Sequence, residues 1–397
     1  MNNMKRFLTK LICCFIPVAT WRHNVCQHWL DGQCSIKLFH LSAQAHGNAG
    51  DWILAESLRD TIAMVFNRKI HWIKRNVRKS VTPHIIRKIN KCDALVIGGG
   101  GLFLKDTNAN NISGWQWPCP IELLRQIKVP IFVIAVGYNR FRNQDDFDSI
   151  FFENVSELIN KSKYFGLRNH GSVRAICDCV PKKLHDKISY FPCTTTILSR
   201  VYNVSKQNNV RPIIGLNIAF DRSDKRFGAD IGLVLDKIVH AMKKLSTIAD
   251  IRYYAHCESD ALFTTFLQSA GIKFEIVRLN QLHLDMHEYI KLYSEPDLVI
   301  GMRGHAQMIP FGCNTPIISL ISHDKMKWFL DDIDHPEFGI EIHDPKLDIQ
   351  LYEKAVDILK HRQEIIKKLV TAQDKLFNIT NTELRKILQI IEGKSDD

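Results

Sequence analysis

The chain has 397 residues, 45% of them hydrophobic and 24% charged, and carries a formal net charge of +11. That length exceeds what one ordinary hydrophobic core supports and predicts two domains, while the composition excludes a disordered or fibrous chain. Much of the positive charge lies between Arg68 and Lys91. It suits acidic partners, but no zinc finger, KH loop or aromatic RNP strand accompanies it, so no nucleic acid is expected.

Residues 1–34 read as a basic amphipathic leader. Lys5, Arg6 and Lys10 precede an apolar stretch, Leu11–Thr20, that Pro17 interrupts. The stretch is far shorter than the roughly 20 apolar residues needed to span a bilayer. Two readings stand: a leader lying on an anionic inner leaflet, or a helix packed on the first domain. The eleven cysteines form no CxxC pair and no regular framework, which predicts reduced thiols and a cytoplasmic location, peripheral on the inner membrane face under the first reading. Cys177 and Cys179 have no second pair to complete a metal site, and no metal is expected.

From Ser35 onward, short apolar runs alternate with amphipathic stretches, the pattern of βαβ units in parallel sheets. Expected strands in the first half are Ile36–Leu41, Lys69–Ile73, Ala94–Ile97, Ile131–Val136, Tyr164–Leu167 and Ile188–Phe191. After a polar stretch, Ser205–Arg211, a second series reads Ile213–Ile218, Ile251–Ala255, Phe274–Val277, Leu298–Ile300 and Pro316–Leu320. The segment Leu351–Ile391 is amphipathic at helical spacing, as two helices or one bent one. The expected organisation is an α/β protein of two doubly wound, Rossmann-like domains facing a cleft. The leader is followed by a first domain over 35–204, a second over 205–346 and a helical tail over 347–397.

The motifs fall where strands should end. The first is His46-Gly47-Asn48-Ala49-Gly50-Asp51, a turn opening a helix, with Asn48 and Asp51 as candidate ligand contacts and Asp51 as a candidate N-cap. Next comes a strand closing in Gly98-Gly99-Gly100-Gly101. Four glycines carry a heavy backbone-entropy cost that makes sense where a ligand approaches the main chain, so Gly99, Gly100 and Gly101 are expected to touch substrate. Arg168, ending a strand before Ser172, offers a planar fork for a carboxylate or phosphate, and Ser172 a cap or a second donor. Arg303-Gly304-His305 places fixed charge and a proton carrier at a strand end. A last strand leads to His323-Asp324-Lys325, where Lys325 suits a phosphate leaving group.

In this order, Gly47–Asp51, Gly98–Phe103, Arg168–Ser172, Arg303–His305 and Pro316–Lys325 make the chain resemble the polysaccharide pyruvyl transferase family. The departures are Asn169 in place of an acidic residue, Gly304 in place of a bulky apolar one, and Phe191-Pro192-Cys193 in place of Asp-Pro. The resemblance implies a fold similar to GT-B glycosyltransferases. It also implies transfer of pyruvate, as a ketal, from phosphoenolpyruvate to a sugar of a cell-envelope glycan or its lipid-linked precursor. On that reading Arg168, Arg303 and Lys325 hold the donor, His305 protonates it, and no cofactor is required. A glycosyltransferase using a nucleotide sugar is the competing expectation. Acceptor choice is expected in the loop Lys105–Pro120, with Trp115 and Trp117 offering faces to a sugar.

Overall fold

The computed structural model describes residues 35–393 apart from 45–47, 107, 109, 143, 207 and 283. The leader, His46 and Gly47 thus lie outside the described residues.

Two six-stranded, all-parallel sheets carry the fold. The first contains β1 (Ile36–Ser42), β2 (Ile70–Asn76), β3 (Ala94–Phe103), β4 (Ile131–Tyr138), β5 (Tyr164–Leu167) and β6 (Ile188–Tyr190), in the order β2-β1-β3-β4-β5-β6. The second contains β7 (Ile213–Asn217), β8 (Asp250–Ala255), β9 (Phe274–Arg278), β10 (Leu298–Gly301), β11 (Ile317–Ile321) and β12 (Gly339–Glu341), in the order β12-β11-β10-β7-β8-β9. Buried strands such as β4 and β11 are near-continuous apolar runs, broken in β11 by Ser319, because helices cover both faces. Each sheet reverses its direction of growth once, between β1 and β3 and between β7 and β10. In such sheets the ligand crevice opens at that reversal, beyond the strands' carboxyl ends.

The helices that matter to the site begin at those ends. They are α1 (Ala49–Phe66) after β1, α2 (His170–Cys179) after β5, α3 (Gly304–Gly312) after β10 and α4 (Asp324–Asp332) after β11. Ala49 and Ile53 of α1 share an apolar cluster with Tyr293 and Ile309 of the second domain, so the domains meet through packed side chains as well as through a cleft.

The tail forms two helices, α5 (Leu347–Lys360) and α6 (Arg362–Ile391). The 30 residues of α6 span roughly 45 Å at the helical rise. Ile365 and Leu369 pack into the core of the second domain, and Leu384 and Ile387 into a cluster with Leu58, Ile62 and Phe132 of the first. The tail therefore belongs to both cores. Among the described residues, no helix is long and apolar enough to cross a membrane.

Gly98 shows how tightly β3 and β4 are matched at the carboxyl edge. Its φ is +148°, and a methyl group there would lie 1.8 Å from the Ile134 carbonyl oxygen. Gly98→Ala is expected to cost about 3 kcal/mol or more. Gly228→Ala, at φ +59° with open space around it, should cost only about 1 kcal/mol. Thermal unfolding of the two variants checks this order.

Candidate active site

The turn before α1 is closed by Asn48, whose Oδ1 accepts from the Gly50 amide at 3.0 Å. Asn48 is therefore the N-cap, and Asp51, expected in that role, sits in the first turn and accepts from Asn48 Nδ2 at 3.1 Å. A capped turn exposes the remaining N–H groups and positive end of the helix to the crevice. Opposite it, β10 ends at Gly301 and α3 starts at Gly304. The two helix starts touch: a methyl group on Gly50 would lie 2.7 Å from His305 Nδ1. Only glycine at position 50 lets the imidazole occupy this place.

Around this contact is a cavity of about 200 Å3, lined from both domains. Asn48, Asp51, Gly101, Arg168, Arg303, His305 and Lys325 all line it, so most of the expected site residues are brought together. The surrounding charge is strongly positive: Arg78, Arg222 and Arg226 line the same space.

These cations are not equivalent. Arg303 donates through Nε and Nη2 to the buried Asp260 at 2.7 and 2.6 Å, and Nη2 also lies 2.8 Å from Asp221. Although burial opposes its charge, Asp260 and Asp221 hold it firmly protonated. Asp221 also receives Arg226 and Arg222, at 3.0 and 2.8 Å. Burial works against its charge, yet these three guanidiniums keep its carboxyl well below the usual range. Arg222 is further bonded to Asp106 at 2.9 Å.

Arg168 is different. It is 7% exposed, and its Nε and Nη2 are buried without a hydrogen-bond partner. Burial pulls its pKa down, opposed by Cys193 and Asp51. Lys325 has no carboxylate within salt-bridge distance among the described residues. Burial, then Arg168 and Arg226, hold its pKa well below the usual range. Neither group has a salt-bridge partner among the described residues, an arrangement that is costly unless an anion completes it.

Three histidines border the cavity, each with one buried ring nitrogen unpartnered: His256 Nδ1, His305 Nε2 and His323 Nε2. Burial, followed by Arg168, His256, Lys325 and Arg303, holds His305 well below its ordinary pKa. Burial lowers His256 to about 4. All are neutral near pH 7. Asp51 is shifted the other way: burial raises its carboxyl against the pull of Arg78, Lys325, Arg168 and Arg303. Among the described residues, no three His, Cys, Asp or Glu side chains are grouped to hold a metal ion.

Some expectations are not met. Of Gly99, Gly100 and Gly101, only Gly101 lines the cavity. Methyl groups on Gly99 and Gly100 would face Leu54, at 3.1 and 3.6 Å, so these two serve the packing of α1. Ser172 neither caps its helix nor lines the cavity; its Oγ accepts from the Tyr138 amide at 3.0 Å, and Asn169 caps α2 by accepting from the Ser172 amide at 2.6 Å. Trp115 and Trp117 are 0% and 1% exposed, packed edge to face, and offer no sugar-stacking surface.

Other site residues escaped sequence reasoning. Asn139 and Phe141 follow β4, Arg222 and Arg226 follow β7, and His256 follows β8. The signal was available, since each lies just past the carboxyl end of a recognisable strand. Gly137 is a further case. A methyl group there would lie 2.1 Å from Arg168 Nε, so this glycine makes room for the guanidinium.

The fold is shared with solved structures. A UDP-GlcNAc 2-epimerase from Neisseria meningitidis, bound to UDP-GlcNAc, superposes with a TM-score of 0.51 at 10% identity, over 91% of this chain and 100% of the other. The Anabaena protein HepE, in complex with UDP and glucose, gives 0.53 at 10% identity, over 90% and 100%. Both likenesses are of fold, the GT-B arrangement of two Rossmann-like domains. No curated protein matches the sequence. The model of one family, polysaccharide pyruvyl transferase, matches residues 48–324, from the N-cap of α1 to the first residue of α4. That stretch supplies most of the cavity lining, and the chain belongs to the polysaccharide pyruvyl transferase family.

Proposed function

We propose that this protein transfers pyruvate from phosphoenolpyruvate to two hydroxyls of one sugar in a cell-envelope glycan or its precursor, forming a ketal. The observation that carries the reading is the pair of uncompensated cations, Arg168 and Lys325, in a cavity of about 200 Å3. Pockets for drug-sized ligands run from roughly 300 to 1,000 Å3. A small donor with several negative charges suits this space better than a nucleotide sugar.

The chemistry follows from the lining. Phosphoenolpyruvate brings a carboxylate and a phosphate, and Arg168 supplies a planar donor pair for the carboxylate. Its methylene carbon must gain a proton before C2 becomes electrophilic. His305 is neutral while the cavity is empty, because burial and the surrounding cations disfavour a further positive charge. The arriving anion offsets those cations, so His305 gains a proton as the donor binds. It then gives that proton to the methylene carbon, and the first sugar hydroxyl bonds to C2 and returns a proton to His305. The second hydroxyl displaces phosphate from C2 as the C–O bond to phosphate breaks. Its proton leaves with the phosphate, and the ketal closes. Asp51, with its raised carboxyl and its place beside the helix start, is positioned to receive a sugar hydroxyl.

Arg303 enters this scheme as a positioning residue. Its charge is taken up by Asp260 and Asp221, and it anchors the turn that delivers His305. Contact of the leader with the inner leaflet, which would bring the enzyme to a lipid-linked acceptor, concerns residues outside those described.

Calorimetry tests the donor directly. Wild-type protein is expected to bind phosphoenolpyruvate saturably, and Arg168→Ala to weaken binding roughly 100-fold through loss of charged hydrogen bonds. Gly137→Ala, which drives a methyl group into the guanidinium, should weaken it by at least 10-fold while Arg168 is still present. UDP-glucose is the control ligand, and stabilisation by it with no response to phosphoenolpyruvate would overturn the reading. Repeating the titration near pH 7 in buffers of different ionisation enthalpy should reveal proton uptake on binding, absent in His305→Asn. His305→Asn is also expected to lower the turnover rate by about 10²- to 10⁴-fold.

A further inference from the structure

His323 has a structural setting that its place in the sequence does not explain. The residue is 0% exposed and occupies the N-cap position of α4, but its side chain makes no cap hydrogen bond. Instead the ring is held by two contacts, both braced by Arg226. Phe141, from the first domain, stacks on it at 4.5 Å and 29°. Nδ1 lies 2.9 Å from Ser322 Oγ, and Ser322 Oγ accepts from Arg226 Nη1 at 3.1 Å. Arg226 in turn sits 5.3 Å from the centre of the Phe141 ring.

This chain of contacts sets the ring's tautomer. A guanidinium only donates, so the Ser322 oxygen is an acceptor toward Arg226. Among the described residues the Ser322 hydroxyl proton has no other acceptor, and it is satisfied by donating to His323 Nδ1. A neutral imidazole that accepts at Nδ1 carries its proton on Nε2. Nε2 is the ring's one uncommitted polar atom, buried without a partner in a residue that lines the cavity. Two residues on, Lys325 stands in the first turn of α4, also without a carboxylate. A helix start, an unpaired ammonium and an N–H held ready without a partner together describe a seat for an oxyanion.

We propose that His323 recognises the phosphoryl group of the donor, donating Nε2–H to a phosphate oxygen beside Lys325. The assignment rests on the phosphoenolpyruvate reading and refines it: the phosphate lies over α4 in the second domain, and Arg168 of the first domain takes the carboxylate. Because Phe141 packs on the same ring, the first domain sets the angle at which the second domain meets the phosphate.

The test compares three substitutions with wild type, after thermal unfolding has shown which of them fold. His323→Phe keeps the aromatic stack but removes the donor, and should weaken phosphoenolpyruvate binding roughly 10- to 100-fold. His323→Gln places an N–H near the Nε2 position and should stay within about fivefold of wild type. Pyruvate, which has the carboxylate and no phosphate, should compete equally well in wild type and His323→Phe, whereas inorganic phosphate should compete less well in the variant. If His323→Phe does not fold, His323→Asn makes the same comparison, since its shorter side chain reaches Ser322 but not the Nε2 position. Unchanged phosphoenolpyruvate affinity in His323→Phe, or an equal loss of pyruvate and phosphate, would overturn the assignment and leave the donor intact. Wild-type protein that ignores phosphoenolpyruvate would instead remove the donor reading on which it rests.

Discussion

A buried guanidinium without a counter-ion is the constraint around which this molecule is arranged. Placing Arg168 at the end of β5, with two of its nitrogens buried and unpartnered, costs stability that a nearby carboxylate would readily recover. Carboxylates are close at hand. Asp221 lines the same cavity, but it and the buried Asp260 are committed to the second domain's own arginines, and Asp51, which also lines the cavity, makes no salt bridge to Arg168. The first domain even makes space for the unpaired charge by keeping a glycine at position 137. On the proposed reading, a charge held in this way finds its partner in the ligand.

The fold makes that arrangement possible by turning the carboxyl edges of two parallel sheets toward each other. Each domain contributes part of the cavity lining: Arg168 and Asp51 come from the first, His305, His323 and Lys325 from the second. Their relative placement depends on contacts across the boundary. Gly50 lies against His305, and Phe141 against His323. Arg142 of the first domain bonds Asp324 at 2.8 Å and Glu341 at 2.9 Å. The long α6, anchored in both cores, resists their separation. Neutral histidines fit the same logic, because a cavity with surplus positive charge accepts a proton only when an anion enters.

Much of this was legible in the sequence, and the reasons are particular. Strands such as Ile131–Tyr138 and Ile213–Asn217 announce themselves as short β-branched runs between polar turns. Because parallel sheets place function at strand ends, Arg168, His305 and Lys325 could be named before any coordinates. The strand Gly339–Glu341 was missed, since three residues with one buried aliphatic side chain carry too little pattern. The glycine run misled for a tertiary reason: Gly99 and Gly100 face Leu54 of α1, and only Gly101 reaches the cavity. The tryptophans of the first domain's loop misled in the same way, because burial depends on partners elsewhere in the chain. Arg303 was read as a free cation, and its carboxylate at Asp260, 43 residues earlier, was invisible to local pattern. Arg78 was counted only within the basic stretch from Arg68 to Lys91, yet it lines the cavity and donates to Gln116 at 2.8 Å.

The central claim is that the unpaired cations hold phosphoenolpyruvate for transfer to a sugar. The most direct measurement is product analysis. The protein is incubated with phosphoenolpyruvate and oligosaccharides of the cell envelope, while inorganic phosphate release and the mass of each sugar are followed together. Phosphate release is expected to depend on one acceptor, with that acceptor gaining the mass of a pyruvate ketal. Transfer of a sugar from a nucleotide donor to the same acceptors, with phosphoenolpyruvate left untouched, would contradict it.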